Sequence, residues 1–494
     1  MSNRIHRRIL FGLKLRQLRQ RAQLSFAELS EKTGMSVSYL NEIEKGKKFP
    51  KEEKTALLAQ ALGVPTQALL DEDFDEGLAP VADLLRSNFL NELPLDLFGI
   101  DLAKVVEMIA NAPARVGAFI ATLLELARNY AVKDEHFYFA ALRSYLELHH
   151  NYFEDLELEV ERFIGQYEIP GARPLAPVFL KQLLEKRFGY AVREQGLDPF
   201  PELAHLRSVF VPQRKELLLN GGLAPMQQSF QYGKELAFQY LQIQERALTS
   251  SLLKGRTFEE VLNHSKAIYF SVALLFPLKT IIRDMEAFFR LPKWDGAAFL
   301  RIMSAYDASP EMYFHRLTNI LPRYFGMKKL FFLRFVHDTG TGTYSLDREL
   351  YLNQRHNPQG SRLDEHYCRR WISLSLLREL RDLQLGQAFS GMLVKAQVSH
   401  YLNTEDAYLC LTIARAAYPG PSQNVSVTIA LQLNEELREK INFLDDPALM
   451  HRQVHTTCER CPLMDCPERS APPVIIEKRI HLNRIEEKIK ALTQ

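Results

Sequence analysis

Cysteine and tryptophan are scarce: 494 residues hold 5 Cys and 2 Trp. So few thiols exclude a disulfide framework and make the reducing cytoplasm the expected compartment. Lys14, Arg16 and Arg19 interrupt what would have to be the apolar core of a signal peptide. Long apolar runs are missing too. The longest uncharged, mainly apolar stretch, Ala267 to Leu278, falls well short of the roughly 18 to 20 residues that cross a bilayer, so no membrane association is expected. Neither GxxxxGK[ST] nor GxGxxG occurs, nor any internal repeat of fixed period, which removes phosphate-cradling loops and solenoid architectures. What remains is a globular composition, 46% hydrophobic, 25% charged and 10% aromatic. At about 150 residues per domain, the length predicts roughly three domains.

No large excess of charge exists overall, 62 Lys and Arg against 60 Asp and Glu, but the distribution is uneven. Residues 1–70 carry 13 basic and 6 acidic residues, a net of +7, and the remaining chain a net of −5. A small basic head on a mildly acidic body suits a polyanion, because neutralising phosphates releases condensed counterions.

The head reads as four short helices. Ile9, Leu10, Leu13, Leu15 and Leu18 recur near helical spacing. Ser25 with Glu28 forms a capping box for a second helix that ends near Thr33 and Gly34. Ser36 caps a third helix over Val37 to Lys45, with Leu40 and Ile43 inward, and Leu57, Leu58, Ala61 and Leu62 supply a fourth before Gly63. Two short helices about a Gly-containing turn place the second in a DNA major groove. Residues 9–70, with LRQLR, LSFAELSEKTGMSVSYLNEIEKG and LAQALGVP, closely resemble the lambda-repressor-like, XRE-type helix-turn-helix family. By that resemblance Ser36, Val37, Ser38 and Glu42 face the groove, while Tyr39 and Asn41 flank them toward the phosphates. Lys47 and Lys48 are assigned to the phosphate backbone, and Arg19 matches the family's partner of Glu44. Phe26 departs from the pattern, standing where the family usually has a phosphate-binding glutamine.

From Val81 to about Ile320 the pattern predicts almost continuous helix, including Val116–Ala127, Phe137–Phe163, Met226–Ala247 and Phe258–Phe289. The stretches RSYLELHHNYFEDLELEVERF, FQYGKELAFQYL, AIYFSVALLFP and EMYFHRLTNI resemble a zinc-peptidase-like domain. That chemistry needs H-E-x-x-H, two histidines on one helical face and a glutamate to activate water. Lys234, Glu235 and Phe238 occupy the aligned positions, so a hydrolytic zinc site is not expected. His149 and His150 are adjacent and point to different faces, as surface or packing residues do. Residues 299–320 again resemble a helix-turn-helix, but their apolar inner face predicts a structural role.

After Phe325 the period changes. Leu330–Val336, Tyr344 onward, Gly391–Val398, Ala407–Ile413 and Val425–Leu433 read as strands, with a turn over Asp338–Gly342, so a mixed α+β domain is predicted. Near its end Cys458, Cys461 and Cys466 are spaced C-x2-C-x4-C, which lets sulfurs converge on one metal centre. Cys368 and His455 are the candidates for a fourth ligand, and Cys410, inside a strand, reads as a buried apolar residue. Four thiolates suit a [4Fe-4S] cluster or zinc, and three with a histidine suit zinc better.

The arrangement as a whole resembles the short-chain fatty-acyl-responsive (ScfR-like) regulators of the XRE group. The resemblance is carried by the head, RLTNI, LFFLRFVHDTGTGTYSL, Cys368-Arg369-Arg370-Trp371, YLCLTIARAAYP, and Cys458 to Pro473. It implies regulation of short-chain acid metabolism genes, an acyl-coenzyme A or related effector, and an iron-sulfur cluster at Cys368, Cys458, Cys461 and Cys466. Lys279 and Arg283, four apart beside the apolar run from Ala267, are the sequence's candidate phosphate clamp for such an effector. The predicted fold class is mainly α with a C-terminal α+β domain. It comprises a helix-turn-helix domain over 1–70, a helical sensor over 79–324 lacking the zinc motif, and a mixed domain over 325–494. A non-enzymatic, cytoplasmic, homodimeric regulator of double-stranded DNA is expected; the rival reading is a divergent DNA-tethered hydrolase or acyl-coenzyme A enzyme. Ile485, Ile489 and Leu492 of the last helix either pack on their own domain or serve dimerisation.

Overall fold

The computed structural model describes residues 2–70, 134–250, 257–352, 365–386, 389–417 and 422–493. They fall into two compact units, 1–145 with 255–258, and 146–254 with 259–494. The predicted helix Val116–Ala127 lies outside the described residues.

The head contains α1 (Ser2–Arg21), α2 (Phe26–Thr33), α3 (Val37–Glu44), α4 (Glu52–Leu62) and α5 (Thr66–Leu70). The predicted capping box is formed: Ser25 Oγ accepts the Glu28 amide at 3.2 Å, and the Glu28 carboxylate accepts the Ser25 amide at 2.7 Å. Gly34 then turns the chain with φ 68, a conformation that costs glycine nothing. Leu15, Leu29, Leu40, Ile43 and Leu58 are fully buried together, so α3 is held by its apolar face and presents its polar one. Gly12 allows this packing, since a Cβ there would lie 2.5 Å from the Ile43 carbonyl oxygen and 2.7 Å from that of Glu44. Gly12→Ala is expected to push α1 off the end of α3 at a cost of about 1–3 kcal/mol. Hydrogen exchange would read it as faster exchange of α3 amides, and unchanged α3 protection would refute the close approach.

α6 (Asp134–Leu148) falls almost wholly in the smaller unit, and the larger one is built from α7 (Glu154–Gln166), α8 (Pro177–Phe188), β1 (Ala191–Arg193), β2 (Ser208–Val211), β3 (Glu216–Leu219), α9 (Pro225–Tyr240), α10 (Phe258–Leu275), α11 (Leu278–Phe289), α12 (Gly296–Ala305) and α13 (Pro310–Tyr324). It continues with β4 (Leu330–Asp338), β5 (Tyr344–Tyr351), α14 (Ile372–Gly386), β6 (Leu393–Tyr401), β7 (Ala407–Ala416), β8 (Gln423–Gln432), α15 (Glu435–Lys440), β9 (Met450–Val454) and α16 (Val474–Thr493). Helices dominate and the C-terminal part is mixed, the fold class that the sequence predicts.

Several predicted helices are shorter. Phe137–Phe163 breaks where His150 and Asn151 adopt φ 50 and 53, because the buried Asn151 amide turns to donate to Thr318 Oγ1 at 2.8 Å. Met226–Ala247 ends at Tyr240, and Phe258–Phe289 bends by 71° at Phe276 and Pro277, where proline offers no amide to continue the ladder. No single described helix is long and apolar enough to cross a membrane. The region expected to be almost continuous helix also contains a three-stranded sheet of order β1-β3-β2.

The main sheet has the order β5-β4-β8-β7-β6-β9, antiparallel except for β9 beside β6. One face shares a single core with helices back to α7, joining Phe163, Phe270, Phe314 and Leu317 to Leu411 and Ile429. The other face packs Phe335, Tyr408 and Ala430 against Leu376, Leu377 and Leu380 of α14. The boundary drawn at residue 325 therefore falls inside one continuous core. In α13, Tyr313, Phe314, Leu317 and Ile320 are fully buried, so the second helix-turn-helix-like stretch has a structural role.

Candidate functional site

Cys368, Cys458, Cys461 and Cys466 line one cleft together with Arg369, Arg370 and Arg469. His455 is not among its walls; its Nδ1 lies 3.2 Å from Thr456 Oγ1. Two chain segments far apart in sequence build the cleft. Tyr367 pairs with Thr457 across an isolated bridge, the Cys368 amide donates to Thr456 O at 3.2 Å, and that of Cys458 to His366 O at 2.8 Å. The segments are cross-braced by charge: Arg460 makes two 2.7 Å bonds to Glu365, and His366 Nδ1 lies 2.7 Å from Glu459. Arg469 closes the loop by donating to the carbonyls of Cys458, Cys461 and Leu463. Glu459, between the first two loop cysteines, accepts the amides of Ile475 and Ile476 at 3.2 and 3.3 Å through its backbone carbonyl.

Burial pushes the Cys368 thiol up to about 11 and raises that of Cys461. Tetrahedral zinc with Zn–S near 2.3 Å needs sulfurs about 3.8 Å apart. Among the described residues no three Cys, His, Asp or Glu side chains converge that closely on one point. Cys410 is elsewhere, its Sγ 3.6 Å from Ser399 Oγ and its thiol pushed up to about 12 by burial.

At the degenerate zinc position, Glu235 is 2.7 and 2.8 Å from the Arg246 guanidinium and accepts the Tyr190 hydroxyl at 3.1 Å. Lys234 is buried and donates to Ser250 O at 3.0 Å. Desolvation brings its ammonium down to about 7, against the opposing pull of Glu235. His149 and His150 are both exposed. Lys279 and Arg283 lie on the outer side of α11; Arg283 is 74% exposed and 3.2 Å from its neighbour Asp284.

In the head, Ser36 Oγ caps α3 by accepting the Tyr39 amide at 3.2 Å, and Ser36, Val37 and Ser38 are exposed in a row at the start of that helix. The Arg19 guanidinium closes on Glu44 at 2.6 and 3.0 Å and also donates to Leu24 O at 2.9 Å, fixing α1 to the end of α3. Residues 10–72 match the family model of the helix-turn-helix domain. The head is an XRE-type helix-turn-helix domain. Over 306 residues the chain is 25% identical to the HTH-type transcriptional regulator PrpR of Mycobacterium tuberculosis (strain ATCC 25618 / H37Rv), a match spanning 57% of this chain and 59% of that regulator. A solved structure of a Mycobacterium tuberculosis transcriptional regulator shares 20% identity, covering 68% of this chain and 94% of its own, with a TM-score of 0.48.

Within the helix-turn-helix domain the other predicted contacts are placed less simply. Asn41 and Glu42 are half-buried, and Glu42 is 2.7 Å from the Lys48 ammonium, so base contact by Glu42 competes with an ion pair. Lys47 is exposed. Tyr39 lies under Lys54 at 4.2 Å and near Lys48 at 5.7 Å, which gathers positive charge along the flank of α3. Phe26 packs beneath the Arg19 guanidinium at 4.1 Å, an apolar contact where the family's glutamine would reach a phosphate.

Proposed function

We propose that this protein is a cytoplasmic, homodimeric transcriptional regulator. It reads a double-stranded DNA operator with α3, responds to acyl-coenzyme A or a related metabolite through its body, and carries a [4Fe-4S] cluster at Cys368, Cys458, Cys461 and Cys466. The observation that carries the reading is the helix-turn-helix domain, whose capped third helix presents Ser36, Val37 and Ser38 to solvent. Bound, a cluster of this kind supplies sensitivity to oxidants and iron supply. The protein's part is to hold four sulfurs on two braced segments. Glu235 engaged with Arg246, and Lys234 with Ser250, support a regulatory rather than hydrolytic body.

One recognition helix reads few bases, so paired half-sites and a second copy supply the rest. Ile485, Ile489 and Leu492 are 42%, 55% and 86% exposed, so they do not pack on their own domain. With Leu482 they follow the 3-4-3 spacing of a coiled-coil seam, and we assign that seam to the second copy.

Ser38→Ala and Glu42→Gln are expected to change the preferred operator sequence, each contact contributing about 1–3 kcal/mol of discrimination. Lys47→Ala should weaken binding to every sequence and flatten the log-log salt dependence by about one unit. Operator selection from random duplexes, followed by titration at several salt concentrations, checks both. Salt-insensitive binding, or an unchanged preference in both α3 variants, would remove α3 as the reading element.

A further inference from the structure

Val37 opens α3 and is 45% exposed. A single apolar side chain on a surface is ordinary, but this one stands between the exposed Ser36 and Ser38, at the end of the helix whose first residues meet base edges in a major groove. A helical side chain leans toward its own N-terminus, so the isopropyl group covers the leading end of α3 rather than its flank. Leu40 and Ile43, which hold α3 in the domain, are fully buried, and Val37 is not a member of the core they belong to.

The rest of α3 narrows what the helix can read. Its eight residues, VSYLNEIE, include no arginine, lysine or glutamine, so the two-pronged contact to guanine O6 and N7 cannot come from within it. Lys45 follows only as the C-cap, at the far end. Glu42, the residue suited to the cytosine amino group, is drawn to the Lys48 ammonium at 2.7 Å. The Ser36 hydroxyl oxygen is occupied in capping the helix, where it accepts the Tyr39 amide at 3.2 Å. Ser38 is exposed, and a serine hydroxyl serves several bases alike. Asn41, half-buried, carries the amide that matches adenine N6 and N7.

What α3 offers at its leading end is therefore an apolar group, and the major groove displays one apolar feature, the C5 methyl of thymine. We infer that Val37 is a specificity-determining residue that reads a thymine methyl, so that each operator half-site carries a T·A pair under the start of α3. Cytosine there would present a hydrogen in place of the methyl. It would also leave its N4 amino donor facing the isopropyl group, desolvated without a partner. Burying one methyl against the valine favours thymine by about three- to fivefold. The inference rests on α3 as the reading element and adds to it the identity of a base.

The probe is a duplex selected by the full chain from random sequences. Each thymine of one half-site is replaced in turn by deoxyuridine, which removes the C5 methyl and keeps every hydrogen-bonding group, and affinity is measured for the parent chain and for Val37→Ser. The expected result is one thymine whose replacement weakens binding by the parent chain about three- to fivefold. In Val37→Ser that sensitivity disappears while the salt dependence, set by phosphate contacts, is unchanged. A selected duplex with no methyl-sensitive thymine overturns the assignment and leaves α3 as the reading element. So does a sensitivity that persists undiminished in Val37→Ser, or in the isosteric Val37→Thr should the serine variant fail to fold. A selection that returns no preferred sequence overturns the reading by α3 and this assignment together.

Discussion

Arg316→Met is expected to destabilise the larger unit by about 3–5 kcal/mol, because it strands a buried carboxylate. Arg316 has no exposed surface, and its guanidinium meets Glu157 at 2.5 and 3.0 Å. Glu157 also accepts the Tyr269 hydroxyl at 2.7 Å, so α7, α10 and α13 meet at one fully desolvated junction. Removing the arginine leaves that carboxylate with a single neutral donor. Thermal unfolding should show a drop of roughly 2–4 °C for each kcal/mol lost. The double variant Arg316→Met with Glu157→Leu should recover most of the loss, since a hydrophobic replacement of both partners removes the stranded charge. A single variant as stable as the parent chain would show that the pair contributes little.

Cys368→Ser is expected to abolish the proposed iron-sulfur centre, and His455→Ala to leave it in place. The prediction follows from the cleft wall, which contains Cys368 beside the three loop cysteines and excludes His455. Anaerobically purified protein should show visible absorption and iron, bleaching in air, in the parent chain and in His455→Ala alone. Elemental analysis finding zinc and no iron would replace the cluster by a structural ion. Full metal occupancy in Cys368→Ser would remove that residue from the centre.

The head was legible because its signals are local. Ser25, Glu28, Gly34 and Ser36 act within a few residues of themselves, and each does what its spacing predicts. The long strands β4, β7 and β8 were legible for a similar reason, being 9 and 10 residues of sustained apolar or alternating pattern. Strands β2 and β3 are 4 residues each, too short to establish a period, although Pro212 and the Asn220-Gly221-Gly222 turn bracket them. β9 is an edge strand of 5 residues with little burial, and so carries no apolar signature. That Cys368 lines one cleft with the later cysteines depends on braces, Glu365 with Arg460 and His366 with Glu459, that carry no spacing to read. Arg334 and Arg415 likewise meet on Glu311 only because the sheet register and the core bring their segments together.

The carbonyl of Glu459 has a mechanical consequence. It is the mooring of α16, since the first amides of that helix close on it, and it sits between two of the cysteines that wall the cleft. The helix beyond is exposed from Glu477 to Thr493, so its heading is set at this root and not along its shaft. A spar fixed at one end reports small rotations of its footing as large displacements of its tip, and α16 is about 30 Å long at 1.5 Å per residue. Whatever stiffens or slackens the loop between Cys458 and Arg469 therefore re-aims Ile485, Ile489 and Leu492. If a second copy holds those residues and the loop carries the proposed cluster, reciprocity requires each event to alter the affinity of the other by the same factor.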